Sequence, residues 1–293
     1  MKRRYFIQYS LLFVGGCASA TQTDLSRSAK PEKLRLAITD AHGMEELKRH
    51  YDPFRRALSE VLELPIEFYP VENFTAAGSA LHLNLVDLVL AGPSEYVVVH
   101  ARTNAVPVVE LTRPGYRTQI VVRGDSGIKS LEQLNGKTIA MREVGSTSAH
   151  LGSTKLLMDA GLNPQVDYTP VMLGKEGFNA LKNGKVDAWS ASTFTYKRTL
   201  EQEGLSEAEF PAIATGPLLP NDIFVANSKL DPTLIEHMRS QMLEHQDKLM
   251  PTLLVTPNLA SRFQNSKIIP ANDDRYNMIR EAYKATGQGD FIQ

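Results

Sequence analysis

From Leu34 onward, short apolar runs alternate with amphipathic stretches of helical period, and this alternation constrains the fold more than any other feature of the chain. The run Leu34–Ile38 predicts a first strand. Apolar residues then recur at helical spacing between Met44 and Leu64, which predicts an amphipathic helix that Pro65 ends. Repeated units of this kind are typical of α/β proteins, in which helices cover a sheet.

Two turn-rich segments divide the alternating pattern. The first, residues 113–118, precedes a second series of strands and helices, and the second lies at residues 217–226. We predict that the chain crosses at both places between two lobes, each a mixed sheet flanked by helices. The first lobe contains residues 33–116 and 223–293, and the second contains residues 117–222. Because ligands of open α/β sheets bind at the carboxyl ends of strands, the predicted binding site is the cleft between the lobes.

A short pattern occurs once in each predicted lobe. The pattern follows a short helical stretch, has Val-Asp near its start and continues as a strand that ends in small residues. It occurs at Leu85–Gly92 and at Lys185–Ser192. Two units do not establish a repeat, so the likeness indicates either two lobes of similar build or chance.

The N-terminus has the pattern of an export signal. Three basic residues precede a mostly apolar run that is too short to span a bilayer, which predicts a signal peptide over residues 1–16. That run ends in Gly-Gly-Cys, which resembles the lipobox of bacterial lipoproteins, so we predict that Cys17, the only cysteine, carries a lipid anchor. The alternative is a plain signal peptide followed by a chance cysteine. With the lipid anchor, residues 17–32 are predicted to form the lipidated N-terminus and its tether. The protein would then be held on the periplasmic or cell-surface side of a bacterial membrane.

Composition and motif content exclude several function classes. The formal net charge is −1, and no basic tract follows the first residues, so nucleic acid is not an expected partner. The seven histidines are scattered without metal-ligand spacing, and the chain has no serine-hydrolase elbow and no phosphate loop with Gly-Lys-Ser/Thr. We therefore predict no metal, no cofactor and no enzymatic activity.

The segment Gly145–His150 carries the strongest local signal for a ligand. Ser146, Thr147 and Ser148 place three consecutive hydroxyls directly before a helical pattern. The first turn of a helix has unpaired backbone N–H groups and partial positive charge, so hydroxyls there can hold an anion. Serine and threonine also cap helices without binding anything. This segment alone leaves both interpretations open.

Several motifs in order along the chain together carry a family resemblance. They are the opening strand, Glu72–Phe74, Leu85–Gly92, Pro114–Tyr116, Ser146–Ser148, Asn179–Leu181, Val186–Ala188 and Leu219–Asp222. In these motifs the chain resembles the phosphate, phosphite and phosphonate family of solute-binding proteins of bacterial ABC importers. The resemblance implies the two-lobed type II periplasmic-binding-protein fold, with a ligand cleft between lobes that close.

The resemblance also implies roles for single residues. The three hydroxyl residues would hold an oxyanion, Tyr116 would donate a hydrogen bond from the hinge side, and Phe74 would close the pocket. Asp222 would accept a hydrogen bond from a protonated P–OH group or from an amine, which discriminates against sulfate. A packed interior tyrosine at position 116 and a turn-capping aspartate at position 222 are the alternatives.

Two positions depart from the family pattern. The usual histidine is replaced by Glu176, which stays among the predicted ligand contacts, and the acidic residue that meets an aminoalkyl group is replaced by Phe194. These changes argue against an aminoalkylphosphonate ligand. Lys175 could supply a cation, although a Lys-Glu pair in a loop is more often solvated surface.

The sequence therefore predicts a monomeric, lipid-anchored solute-binding component of an ABC importer. It would capture phosphate, phosphite or a small phosphonate by lobe closure and pass it to a permease in the membrane. The alternative is the same fold acting as a sensor or transport component for another small anionic metabolite.

Overall fold

The computed structural model describes residues 31–41, 43–72 and 76–293. The predicted signal peptide over residues 1–16, Cys17 and Phe74 lie outside the described residues. Within the described ranges, no helix combines the length and the apolar character needed to cross a bilayer.

The strands and helices follow one another along the whole described chain. The strands are β1 (Leu34–Ile38), β2 (Ile66–Phe68), β3 (Leu88–Ala91), β4 (Val106–Leu111), β5 (Arg117–Val122), β6 (Thr138–Met141), β7 (Thr169–Met172), β8 (Ala188–Ser192), β9 (Ala212–Leu218), β10 (Asp222–Ala226) and β11 (Ile268–Pro270). The helices are α1 (Gly43–Leu62), α2 (Ala76–His82), α3 (Pro93–Thr103), α4 (Ser153–Asp159), α5 (Gly177–Lys182), α6 (Thr193–Glu203), α7 (Pro232–Glu244), α8 (Gln246–Leu249), α9 (Pro257–Phe263) and α10 (Asn277–Ala285). A π-helical turn, Thr147–Gly152, precedes α4.

The strands form two mixed sheets. The first has the order β11-β4-β10-β3-β1-β2, and the second has the order β7-β6-β8-β5-β9. In the first sheet β1 is parallel to β2 and β3, whereas β10 is antiparallel to β3 and β4. In the second, β6 is parallel to β7 and β8, whereas β5 is antiparallel to β8 and β9. The chain leaves the first sheet after β4 and returns to it with β10. The exact lobe boundaries stay a prediction.

The predicted likeness between Leu85–Gly92 and Lys185–Ser192 has a structural counterpart. The Asp87 carboxylate accepts a hydrogen bond from the Arg35 backbone N–H at 2.8 Å, and the Asp187 carboxylate accepts one from the Thr138 backbone N–H at 2.8 Å. Each aspartate also donates its own N–H to the carbonyl of the same partner, at 3.0 and 2.9 Å. Each therefore fixes the start of the parallel strand beside it, which supports the interpretation as two lobes of similar build.

Periodic apolar segments were predicted well, and short or polar segments were not. The predicted helix from Met44 to Leu64 is α1, and its apolar face packs in the core of the first lobe. The sequence analysis missed β4, β11, α6 and α9. For α6 the end signals were present, since the Ser192 side chain caps its first turn and Gly204 ends it at φ 66°. Its polar surface gave no apolar period to recognise.

Candidate functional site

The carboxyl ends of the parallel strands of both sheets meet at one cavity. Its volume is about 400 Å³. Asp40 follows β1, Gly92 follows β3, Arg142 follows β6, Gly174 follows β7, and Ser192 ends β8, and all of them line the cavity. This is the position at which α/β sheets bind ligands, as the sequence predicted.

The hydroxyl cluster forms one wall of this cavity. Ser146, Thr147 and Ser148 all line it. Ser146 stands at the N-terminal cap of the π-helical turn, but its side chain makes no capping hydrogen bond. Within the described residues, the hydroxyl of Ser148 likewise has no hydrogen-bond partner, so these two hydroxyls are available to a ligand. The helix-cap interpretation is thus not supported by the contacts of Ser146, and the anion-binding interpretation stays open to test.

Thr147 also joins the two lobes. Its hydroxyl donates to Ser94 Oγ at 2.8 Å and accepts from the Ser94 backbone N–H at 3.2 Å. Ser94 lies in α3 of the first lobe, whereas Thr147 follows β6 of the second. The Leu151 side chain, in the same turn, is buried in a core cluster of the first lobe. The hydroxyl cluster is therefore anchored to both lobes.

His150 holds the loop before the cluster. Its Nδ1 accepts the Gly145 backbone N–H at 3.1 Å, which requires an unprotonated Nδ1. Burial lowers the pKa of His150 to about 4, so the ring is neutral at physiological pH. The residue is a structural support of the cluster and does not line the cavity.

Arg113 places a cation in the cavity from the first crossing between the sheets. Its guanidinium carbon lies 3.5 Å from the centroid of the Tyr116 ring, and Nη1 lies 3.3 Å from Asp222 Oδ1. Its Nε is buried without a partner among the described residues. The side chain is only 11% exposed, so little water competes for these donors. Because Arg113 lines the cavity, an oxyanion there can accept from the guanidinium N–H groups that face it.

Arg262 adds a second cation from α9. Its Nε and Nη2 donate to Asp222 Oδ2 at 3.0 and 2.7 Å, and it also pairs with Asp40. Burial lowers the pKa of Arg262 to about 10, which still leaves it charged at neutral pH. Burial also raises the pKa of Asp222 to about 6, while the nearby Arg113 opposes that shift. Asp222 therefore fixes two guanidinium groups that both line the cavity.

The structure brings some of the predicted site residues together and separates others. Tyr116 and the three hydroxyl residues line the cavity, and Lys175 does so as well. Asp222 is fully buried behind the two arginines, so its direct contact with a ligand stays a prediction, and its contacts support a positioning role. Glu176 is exposed and lines a different pocket. Its carboxylate accepts a hydrogen bond from Asn179 Nδ2 at 3.1 Å. Phe194 stacks on Tyr116 with ring centroids 6.4 Å apart.

Sequence reasoning missed the two arginines. Arg113 was read only as part of a turn, and Arg262 lies in a helix that was not predicted. No local pattern marks either residue, because their role depends on Asp222, which meets them from a third segment of the chain. In the part of the chain that the structure describes, no group of histidine, cysteine, aspartate or glutamate side chains could hold a metal ion.

Glu95 adds an acidic group to the cavity wall at the first turn of α3. Burial raises its pKa, although the hydrogen bond from the Ser94 hydroxyl at 2.8 Å acts against the rise. A carboxyl group with a raised pKa repels an anion less than a fully ionised one would.

Residues 36–276 match the family described as ABC transporter, phosphonate, periplasmic substrate-binding protein. The chain belongs to this family. Its members are solute-binding proteins rather than enzymes. The protein is accordingly a periplasmic substrate-binding component of an ABC transporter, and its fold is the two-lobed type II periplasmic-binding-protein fold that the sequence predicted.

Individual relatives of the phosphonate family are distant in sequence. The phosphate-import protein PhnD of Mycolicibacterium smegmatis is 25% identical over 278 residues, which cover 88% of this chain and 87% of that protein. The Xanthomonas citri protein XAC2383, solved with ATP, is 18% identical with a TM-score of 0.72 over 90% of this chain and 100% of that one. PhnD1 of Prochlorococcus marinus, solved with methylphosphonate, is 18% identical with a TM-score of 0.69 over 88% of this chain and 100% of that one. These structures support the fold and not a particular ligand.

Proposed function

We propose that this protein is the lipid-anchored component of an ABC importer that captures a phosphorus oxyanion, either phosphate, phosphite or a small phosphonate, by closure of its lobes. The observation that carries the proposal is the convergence of the free hydroxyls of Ser146 and Ser148 with two partly buried arginines, Arg113 and Arg262, on one cavity. A tetrahedral oxyanion accepts several hydrogen bonds, and charge-assisted bonds are the stronger ones.

The hinge geometry is compatible with capture by closure. Two hydrogen bonds join the segments at which the chain passes between the two sheets. The Leu219 backbone N–H donates to the Tyr116 carbonyl at 2.9 Å, and the Arg113 backbone N–H donates to Asn221 Oδ1 at 3.2 Å. A ligand that contacts Ser146 of the second lobe and Arg262 of the first gains its full set of bonds only when both lobes are close together.

Ligand binding is tested by thermal unfolding and isothermal titration calorimetry with phosphate, phosphite, methylphosphonate and 2-aminoethylphosphonate. A ligand at about 1,000 times its Kd should add about 4 kcal/mol to the free energy of unfolding. The Ser146→Ala, Ser148→Ala double variant should lose at least tenfold in affinity and remain folded. The matched control is Ser126→Ala, since Ser126 bonds only the nearby Arg123 carbonyl and Ile128 N–H. The absence of any response to a phosphorus oxyanion would contradict the ligand assignment.

The lipid anchor at Cys17 is tested separately. We expect cells that express the full chain to incorporate radiolabelled palmitate into the protein and to retain it in the membrane fraction. Cys17→Ser should abolish both. An unlabelled wild-type protein would show that the residue has no anchoring role.

A further inference from the structure

The cavity is elongated along one face of α6. Thr195, Arg198, Thr199 and Gln202 all line it, at the spacing i, i+3, i+4 and i+7 that defines one side of a helix. At a rise of about 1.5 Å per residue, this face extends the cavity wall by about 10 Å. A single tetrahedral oxyanion at the hydroxyl cluster fills only one end of such a space. The volume of about 400 Å³ also falls in the range of pockets that enclose larger ligands.

Two of the cations that line the cavity have no acidic partner among the described residues. Two carboxylates that line the cavity already have cationic partners. Glu143 pairs with Arg142 at 3.0 Å, and Glu203 pairs with Lys182 at 2.6 Å. Lys175 and Arg198 have no carboxylate partner anywhere in residues 31–41, 43–72 and 76–293. Arg198 makes one hydrogen bond, from Nη1 to Asn258 Oδ1 at 3.2 Å.

Two aromatic residues, Trp189 and Phe178, also line the cavity. Trp189 precedes Ser190, which is bonded to Ser153 at the start of α4. On its other side the Trp189 indole packs so closely on Gly177 that a Cβ added there would lie 2.8 Å from its Cδ1. Phe178 packs on the same indole with ring centroids 5.1 Å apart. Because Gly177 follows the loop that carries Lys175, these rings lie beside that loop.

We propose that the ligand is an elongated dianion with two anionic groups joined by a short apolar linker. One oxyanion occupies the hydroxyl cluster, the linker lies along Trp189 and Phe178, and the second anionic group meets Lys175 and Arg198. The inference rests on the proposed function and narrows its ligand class. Lys175 and Arg198 are then specificity-determining residues for the second anionic group.

The gain from the second anionic group is modest because Lys175 and Arg198 are exposed. Water and salt weaken pairs of this kind, so two of them together give about a tenfold gain in affinity at low ionic strength, or about 1.4 kcal/mol. The gain should decline as salt is added, since exposed charges are screened.

The test is a calorimetric series with the purified protein. The dianionic probes are ethane-1,2-, propane-1,3- and butane-1,4-diphosphonate, and each is compared with the alkylphosphonate of the same chain length. We expect one diphosphonate to bind about tenfold more tightly than its matched monophosphonate, well above the twofold statistical gain of two equivalent ends. The Lys175→Met, Arg198→Met double variant should lose this gain and keep its affinity for the monophosphonate.

The control variant is Lys197→Met, which removes an exposed cation on α6 that does not line the cavity. It should leave the gain unchanged. Equal affinity for diphosphonates and monophosphonates, or a gain that survives the double variant, would overturn the dianion inference and leave the proposed function intact. If none of these compounds binds to the wild-type protein, the dianion inference is wrong, and the titrations with phosphate, phosphite and methylphosphonate decide the proposed function separately.

Discussion

Replacing Arg113 by methionine tests the central feature of the binding site. The substitution keeps an unbranched chain of similar length and removes the guanidinium that lies 3.5 Å from the Tyr116 ring centroid. Asp222 retains the two hydrogen bonds from Arg262, at 3.0 and 2.7 Å, so its carboxylate is not left without a partner. We therefore expect the variant to fold.

The magnitude follows from the donors that Arg113 can offer. Nη1 is engaged by Asp222 at 3.3 Å, and the guanidinium has further N–H donors on the cavity wall. One or two charge-assisted hydrogen bonds to an oxyanion, at about 1.5 to 3 kcal/mol each, give a loss of about 3 kcal/mol. This loss corresponds to a rise in Kd of roughly 150-fold. Arg113→Lys keeps the charge without the planar fork, so it should lose less.

The assay is calorimetric titration with whichever phosphorus oxyanion binds the wild-type protein, with urea unfolding as a check of the fold. Arg117→Met is the matched control, because Arg117 bonds the Gly216 carbonyl at 2.9 Å and does not line the cavity. It should bind the oxyanion with wild-type affinity. If Arg113→Met binds as tightly as Arg117→Met, the assignment of Arg113 to the ligand is refuted.

Two further predictions concern the support of the hydroxyl cluster. Burial lowers the pKa of His150 to about 4, against 6.5 in the unfolded chain. Below pH 6.5 the unfolded chain therefore binds a proton that the folded protein does not. The free energy of unfolding is highest above pH 6.5 and should fall by about 3 kcal/mol as the pH falls to 4. Urea unfolding of the wild-type protein between pH 4 and 8 should show this fall. The variant His150→Asn keeps an acceptor near the Nδ1 position and should lack the fall. Identical pH profiles for the two proteins would disprove the role of His150 in the pH dependence. At Gly152, a Cβ would lie 2.3 Å from Thr118 Oγ1, so Gly152→Ala should cost about 1 to 3 kcal/mol in unfolding free energy and weaken oxyanion binding. Gly78→Ala, whose Cβ meets only ordinary contacts, should cost nothing, and equal behaviour of the two variants in urea unfolding would contradict the packing argument.

The features that the sequence predicted are those encoded locally. Apolar spacing specifies α1, because its buried residues recur every three or four positions from Leu47 to Val61. The hydroxyl cluster was recognisable because its three members are adjacent in sequence and follow a strand. The prediction that Tyr116 belongs to the site came from the family resemblance, and Tyr116 lines the cavity.

The features that escaped prediction depend on tertiary contacts. Arg113, Asp222 and Arg262 lie on three separate segments, and only the folded chain brings both guanidinium groups within 3.3 Å of the Asp222 carboxylate. Asp222 was predicted to contact the ligand, which stays a prediction, and the arginine partners of its carboxylate could not be inferred from the sequence. The polar helix α6 was missed for a related reason, since one of its faces lines a cavity and gives no apolar signal.

The order of strands in the first sheet has a consequence for folding. Strand β10 lies between β3 and β4, yet residues 222–226 are synthesised after every strand of the second sheet. The second sheet is built from one contiguous segment and can form while the first still lacks an inner strand. Until β10 arrives, β3 and β4 present unpaired edges, which favour wrong association between chains. We therefore expect chains truncated before residue 222 to aggregate through these edges, even though the whole hydroxyl cluster is already present in them.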